Sequence, residues 1–291
     1  MSKLPTILVT GATGQQGGAT AHALLGRGVP VKALVRDRHK ASAQAIGKLG
    51  AELIEGDLES PDTLTAALKG VDGVFLITSG SPEITLEQEV RQAVNLIEAS
   101  KIAKVNHFVF TSFIGTFDAT DISFLDSKRR IEKYLHESQL PATILRPGTF
   151  MENFSNMWLK GETLYAALRP TSTMTVISAK DIGEFAAIAL TNPREFIGRT
   201  MNIAVEILSP LQVADTFSRV LEKQITFKEQ PLEQVRQYSE GLARMFERLR
   251  DVPSKVIAEQ VDLDALRRLN PDYWTLEKWA ERTLKTAKAA A

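Results

Sequence analysis

Short apolar runs alternating with longer amphipathic stretches fill the first half of this chain, and that alternation constrains its fold more than any other feature. The runs are "TILVT", "VPVKALV", "AELIEGD", "GVDGVFLIT", "VNHFVFTSF" and "PATILRPG". Their apolar residues are nearly continuous, as in strands buried on both faces. Between them, helical patterns are read in "QQGGATAHALLGRG", in a stretch ending near Leu49-Gly50 and in one with Pro61 in its first turn. Two more run from about Thr85 to Ser100 and from Asp126 to Ser138. Parallel strands cannot be joined by a tight turn, so this order predicts right-handed crossovers. The expectation is a Rossmann-type doubly wound parallel α/β sheet over residues 1–150.

Residues 151–291 are less regular. Helical patterns at Glu152–Leu168, Asp181–Leu190, Leu211–Leu221 and Leu232–Leu249 are separated by the β-like runs "RTMNIA" and "QITFKE". The chain then turns at Asn270-Pro271 into an amphipathic helix. This predicts a smaller α+β annex, not an independent domain, beside the strand ends where open α/β sheets bind ligands.

Composition narrows the classes of function. Lysine plus arginine number 35 and aspartate plus glutamate 35, so no net field recruits nucleic acid or anionic lipid. The absence of cysteine excludes disulfides, thiolate metal sites and a cysteine nucleophile. His22, His39, His107 and His136 show no ligand spacing, and no metal is expected. No apolar stretch approaches the roughly 20 residues needed to cross a bilayer. A soluble, unprocessed cytoplasmic protein is expected, monomer or homodimer, without membrane or direct nucleic-acid partners.

"VTGATGQQGG" places Gly11-x-x-Gly14-x-x-Gly17 between the first strand and a helix. Gly11 suits the tight turn, Gly14 the approach of backbone N–H groups to a pyrophosphate, and Gly17 close packing of helix on strand. The helix dipole then faces the phosphates. A purely structural turn is the competing reading. At the end of the second strand, where an acid would bind a ribose 2′-OH, the chain has "ALVRDRHK". Arg36, with Arg38 and Lys40 nearby, suits a 2′-phosphate and hence NADP(H) over NAD. Asp37 opposes that choice, and a solvated basic loop is the alternative. Asp57 and Leu58 are placed to touch the adenine, although Asp57 also suits a cap on the next helix. Thr78, Ser79 and Gly80 end the fourth strand beside the expected nicotinamide ribose.

In "SFLDSK", Lys128 stands where the lysine of a Tyr-x-x-x-Lys reductase site would be, but Phe124 occupies the tyrosine position. An ammonium near ribose hydroxyls is a good donor without a tyrosine, whereas lowering a phenol's pKa is no longer its task. The expectation is that Lys128 positions the cofactor. Any substrate proton then comes from Lys128, Ser112, Thr111 or water. A surface lysine in the basic patch "SKRR" is the bland alternative. Tyr134 reads as a packing residue, as do Trp158, Trp274 and Trp279.

"GATGQQGG", "VRDRHK", "GDL", the Phe124/Lys128 pairing, "LRPGTFMENF" and "LNPDYWTLEKW" together resemble the NmrA-like family of atypical short-chain dehydrogenases, from about Ile7 to Trp279. The resemblance implies an NADP(H)-binding protein, in a family of redox-sensing regulators, quinone reductases and, more distantly, isoflavone-reductase-like enzymes. It implies cofactor contacts from Gly11, Ala12, Thr13, Gly14, Gln15 and Gln16, with Gly17 closing the loop. Arg36 and Lys40 would hold the 2′-phosphate, with Asp57 and Leu58 by the adenine and Thr78, Ser79 and Gly80 by the ribose. Arg91 matches a basic position that some relatives use for a phosphate. Phe150 to Asn153 would wall the nicotinamide, and Lys128 would hydrogen-bond its ribose.

Two functions compete on this reading. One is an NADPH-dependent oxidoreductase acting on a small-molecule substrate, a quinone or another conjugated carbonyl, with Phe150, Met151, Phe154 and Trp158 as candidate pocket residues. The other is a sensor that binds NADP(H) without turnover and acts through a regulatory protein partner. A scaffold with a vestigial cofactor site fits less well, since the phosphate loop, Arg36 and Lys128 are all retained.

Overall fold

Each of the six apolar runs forms a strand. The computed structural model describes residues 4–78, 84–115 and 122–285. The strands are β1 (Ile7–Val9), β2 (Val31–Val35), β3 (Glu52–Glu55), β4 (Gly73–Leu76), β5 (His107–Thr111) and β6 (Ala142–Pro147). Helices α1 (Gln15–Gly26), α2 (Ala41–Lys48), α3 (Pro61–Ala67), α4 (Leu86–Ile102) and α5 (Ser123–Glu137) connect them in turn. The sheet order is Thr200–Ile203, β6, β5, β4, β1, β2, β3. Neighbours from β3 to β6 pair in parallel, with Ile7 beside both Val31 and Gly73. The order reverses at β1, which is the topological switch point where such sheets bind ligands.

Strands β1, β4 and β5 are buried at every position. That explains why their sequences are apolar throughout rather than alternating. Leu8, Val74, Leu76, Phe108, Phe110 and Ile144 share one core with Leu64 of α3, Leu96 and Ile97 of α4, and Ile131 and Leu135 of α5. α6 (Ala179–Thr191) approaches α1 closely: a Cβ on Gly183 would lie 2.4 Å from the carbonyl carbon of Ala19.

The chain divides into two compact units, one of residues 1–146 and 182–201, the other of 147–181 and 202–291. Residues 182–201, expected in the annex, fall in the first unit. "RTMNIA" accordingly supplies an edge strand of the large sheet rather than a strand of the annex.

The second unit holds two small sheets. Met174–Ile177 pairs antiparallel with Glu206–Leu208 and parallel with Thr149–Phe150. Thr163–Ala166 pairs parallel with Thr226–Glu229 and antiparallel with Leu159–Lys160. The helix expected over Glu152–Leu168 is therefore corrected to a π-helical turn at Phe154–Trp158 followed by a hairpin. Gly161, at φ +62°, makes the turn that a helix would not allow. Likewise Leu232–Leu249 breaks into Leu232–Arg236 and Glu240–Arg250, with the Ser239 hydroxyl capping the second helix. Phe154 stacks edge-on to Trp158 and Phe217, with ring centroids at 5.3 and 5.6 Å. Asp181, fully buried, accepts from the Ser178 hydroxyl, the Asn270 amide and the Trp274 N–H at 2.6, 2.9 and 3.0 Å. This ties the "LNPDYW" segment into the unit.

Candidate functional site

The glycines after β1 divide by what the protein itself demands of them. Gly11 has φ +58°, and a Cβ there would lie 2.6 Å from Cγ2 of Ile77. A Cβ on Gly17 would lie 2.2 Å from the Gly11 carbonyl oxygen, so only glycine lets α1 start this close to β1. Gly14 is different: its φ is −104°, and an added Cβ would meet only the Gly11 oxygen, at an ordinary 3.4 Å. Nothing in the fold requires glycine at that position. What it offers is bare backbone at the N-cap of α1, where no side chain caps the helix and no acid stands in the first turn. Thr13, Gly14 and Gln15 are exposed around it and Ala12 is buried beneath. The arrangement suits an anion brought against a helix N-terminus.

The loop is braced from β4 and β5. The Thr10 hydroxyl donates to the Ile77 carbonyl at 3.0 Å and accepts from the Ile77 N–H at 2.9 Å. The Thr111 hydroxyl donates to the Gln16 side-chain oxygen at 2.7 Å. Next to Thr111, the Ser112 hydroxyl is buried and has no hydrogen-bond partner among the described residues.

At the end of β2, Arg36, Arg38 and Lys40 are exposed, and none pairs with a carboxylate among the described residues. Asp37 lies among them, and its Oδ1 accepts the His39 backbone N–H at 2.8 Å and closes the turn. Asp57 does the same for the next loop, accepting from the Glu59 N–H at 2.9 Å, while Ser60 takes the N-cap of α3. The Leu58 carbonyl is held by the Asn95 amide at 2.8 Å. Arg91 is already engaged: its Nε and Nη2 donate to the two oxygens of Glu59 at 2.8 and 3.1 Å. Ser79 and Gly80 lie outside the described residues.

Lys128 is not a surface lysine. It lies on the apolar stripe of α5 with Ile131 and Leu135, and its side chain is 12% exposed. Its Nζ donates to Oε1 of Glu89 at 2.7 Å and to the Thr78 hydroxyl, and stands 5.7 Å from the centre of the Phe110 ring. The Thr78 hydroxyl in turn donates to the same Glu89 oxygen at 2.6 Å, and the Ser127 hydroxyl donates to Oε2. Burial pushes the Glu89 carboxyl up, but the charge and hydrogen bonds of Lys128, with the Ser127 and Thr78 hydroxyls, outweigh it and hold the group below its ordinary value. Phe124 is half-buried and packs edge-on against Phe113 at 6.3 Å. The Tyr134 hydroxyl donates to Glu98 at 3.0 Å, which fits a packing residue.

Sequence reasoning missed Glu89 and Ser127. The signal was present, since Glu89 falls on the buried stripe of α4 with Ala93, Leu96, Ile97 and Ser100.

Phe150 and Asn153 belong to the second unit and are half-buried there. Met151 and Phe154 are wholly buried. Between them in sequence, Glu152 accepts the Ala179 N–H on both oxygens at 3.1 Å and the Trp279 indole N–H at 3.2 Å. Burial is the main reason its carboxyl is raised.

A doubly wound sheet with a glycine-lined helix N-terminus at its switch point defines a nucleotide-binding protein of the Rossmann class. More narrowly, the chain belongs to the NmrA-like family, whose pattern matches residues 3–280. It is 32% identical over 256 residues to an NAD(P)H azoreductase of Xenophilus azovorans, covering 87% of this chain and 86% of that one. Among solved structures, the NADPH-dependent quinone oxidoreductase of Escherichia coli complexed with NADPH superposes with a TM-score of 0.77 at 26% identity, over 96% and 99% of the two chains. NmrA, a negative transcriptional regulator solved in complex with NADP, superposes at 0.83 with 21% identity over 99% and 98%, a likeness of fold.

Proposed function

We propose that this chain is an NADPH-dependent reductase of quinones or other conjugated carbonyl compounds. The observation that supports the reading is the 32% identity to an NAD(P)H azoreductase over 256 residues, with a lysine fixed beside Thr78 for a cofactor. When bound, NADPH supplies a hydride to the acceptor. The backbone around Gly14 at the start of α1 holds the pyrophosphate, and Arg36 with Lys40 holds the 2′-phosphate. Lys128 of α5 and Thr78, after β4, would meet the nicotinamide ribose. Phe124 contributes an apolar edge and cannot donate a proton. This suits acceptors whose hydride adduct is a weakly basic, delocalised anion, as when a quinone becomes a phenolate that solvent then protonates. An azo compound, the acceptor named for the relative from Xenophilus azovorans, is a further conjugated electrophile to test.

A second reading is favoured by the same Phe124: a site without an acid can bind NADP(H) and act as a regulator through a protein partner. The two separate on one experiment, NADPH absorbance decay with a panel of quinones, enones and azo dyes, run beside Lys128→Ala. Saturable turnover that weakens in the variant is expected. No turnover in a sample whose NADPH binding is verified overturns the reductase. A large difference between NADP⁺ and NADPH affinity then points to the regulator.

A further inference from the structure

A lysine ammonium has three N–H donors. At Lys128 two are committed, one to Glu89 and one to Thr78, and the side chain is 12% exposed. The carboxylate that holds it is itself immobilised. Oε1 accepts from Lys128 at 2.7 Å and from Thr78 at 2.6 Å, while Oε2 accepts from Ser127. Glu89 is anchored in α4, Ser127 and Lys128 in α5, and Thr78 follows β4, so three elements fix one ammonium. A buried glutamate on an apolar helix stripe is costly unless a cation is paired with it. Ala93, Leu96, Ile97 and Ser100 continue that stripe without any charge, so Glu89 is the one ionisable group among the buried residues of its helix.

We propose that Glu89 is a positioning residue of this site: its carboxylate locks Lys128 against Thr78 and so directs the remaining ammonium N–H to the nicotinamide-side ribose. The proposal rests on the NADP(H)-binding reading above. It makes a specific demand on binding, independent of turnover. A ligand with the nicotinamide ribose must sense Glu89, and one without it must not.

The test is calorimetric titration of the full chain with NADPH and with adenosine 2′,5′-bisphosphate, which keeps the adenosine and 2′-phosphate but lacks the nicotinamide half. Glu89→Gln should weaken NADPH about tenfold or more and leave the bisphosphate within about twofold, the loss expected for one charge-assisted hydrogen bond. Lys128→Met should give the same split. Adding Glu89→Gln to Lys128→Met should change neither affinity further, because Glu89 acts through Lys128. That double variant removes both charges together and leaves no buried ion unpaired, so it tests the coupling even if Glu89→Gln alone folds poorly. Equal losses for both ligands, no loss for either, or additive losses would each overturn the positioning role. Wild-type protein that binds neither ligand would sink the NADP(H) reading itself. Wild-type protein that binds NADPH but shows no split in the variants sinks only the role of Glu89.

Discussion

Replacing His107 by glutamine removes one titration from the folding equilibrium, and its size follows from what surrounds the ring. His107 opens β5, fully enclosed, with Nε2 2.8 Å from the Thr143 hydroxyl. That hydroxyl donates to the Phe196 carbonyl at 2.6 Å, so its oxygen is the acceptor and the ring carries its proton on Nε2. Nδ1 is buried and has no partner among the described residues. Protonating it would place a charge and a new N–H donor where no acceptor waits. Burial accordingly pushes the pKa down from 6.5 to about 4. The folded value lies below the unfolded one, so between them the unfolded chain binds more protons. Stability from this site is present above about pH 6.5 and is lost as pH falls towards 4. At about 1.4 kcal/mol per pH unit, the loss reaches about 2 kcal/mol at pH 5 and about 3 kcal/mol below pH 4.

Burial raises the carboxyls of Glu152 and Glu206, which contribute in the opposite sense over part of that range. The wild-type profile alone therefore does not isolate His107. The difference between wild type and His107→Gln does, since the amide keeps an N–H for Thr143 but cannot titrate. Urea unfolding near pH 7.5 and near pH 5 should show the glutamine variant gaining about 2 kcal/mol on wild type at the lower pH. A difference that stays constant across this range would refute a neutral, desolvated ring.

Three further variants test the phosphate loop and the cofactor site. Gly14→Ala should leave the unfolding midpoint unchanged and weaken NADPH by roughly tenfold or more, whereas Gly17→Ala should cost roughly 1–3 kcal/mol or more of stability. Unaltered NADPH affinity in Gly14→Ala would mean that no ligand approaches the loop there. Arg36→Ala combined with Lys40→Ala should weaken NADPH roughly tenfold to a hundredfold in equilibrium titrations and leave NADH unaffected. Equal losses for both cofactors would remove these residues from the 2′-phosphate.

Much of this was legible because burial writes itself into sequence. Strands enclosed on both faces have to be apolar throughout, so β1, β4 and β5 could be read directly. Gly11 and Gly17 were legible because a turn at positive φ and a helix start with no room for a Cβ admit little else. Glu89 was obscured by its neighbours: "LEQEVRQ" reads as a solvated helix face, and Glu87 and Arg91 on that helix are indeed exposed. Only the spacing to Ala93, Leu96 and Ser100 separates Glu89 from them. The hairpin after Phe154 was misread for a different reason. Thr163–Ala166 is stabilised by Thr226–Glu229, more than 60 residues later, and local periodicity carries no trace of such a partner.

Phe124 and Glu89 are best understood together. In a Tyr-x-x-x-Lys site the lysine charge has a second use, stabilising the phenolate left when tyrosine gives up its proton. With phenylalanine in that position the ammonium would sit beside Thr78 and the Phe110 ring with no anion to answer it. Glu89 supplies that anion from a neighbouring helix. The exchange has a chemical consequence. Phe124 has no hydroxyl to give a proton, and Lys128 already donates to Glu89 and Thr78. On the proposed reading Lys128 orients a ribose, and no phenolic acid stands beside the acceptor. For the proposed reductase the burden shifts to the acceptor, which must tolerate hydride transfer before protonation. Quinones meet that requirement, because the negative charge passes to a phenolic oxygen. Simple ketones do not, because hydride leaves an alkoxide that is strongly basic unless an acid stands beside it. An activity on quinones with none on unconjugated ketones is therefore what the pairing of Phe124 with Glu89 entails.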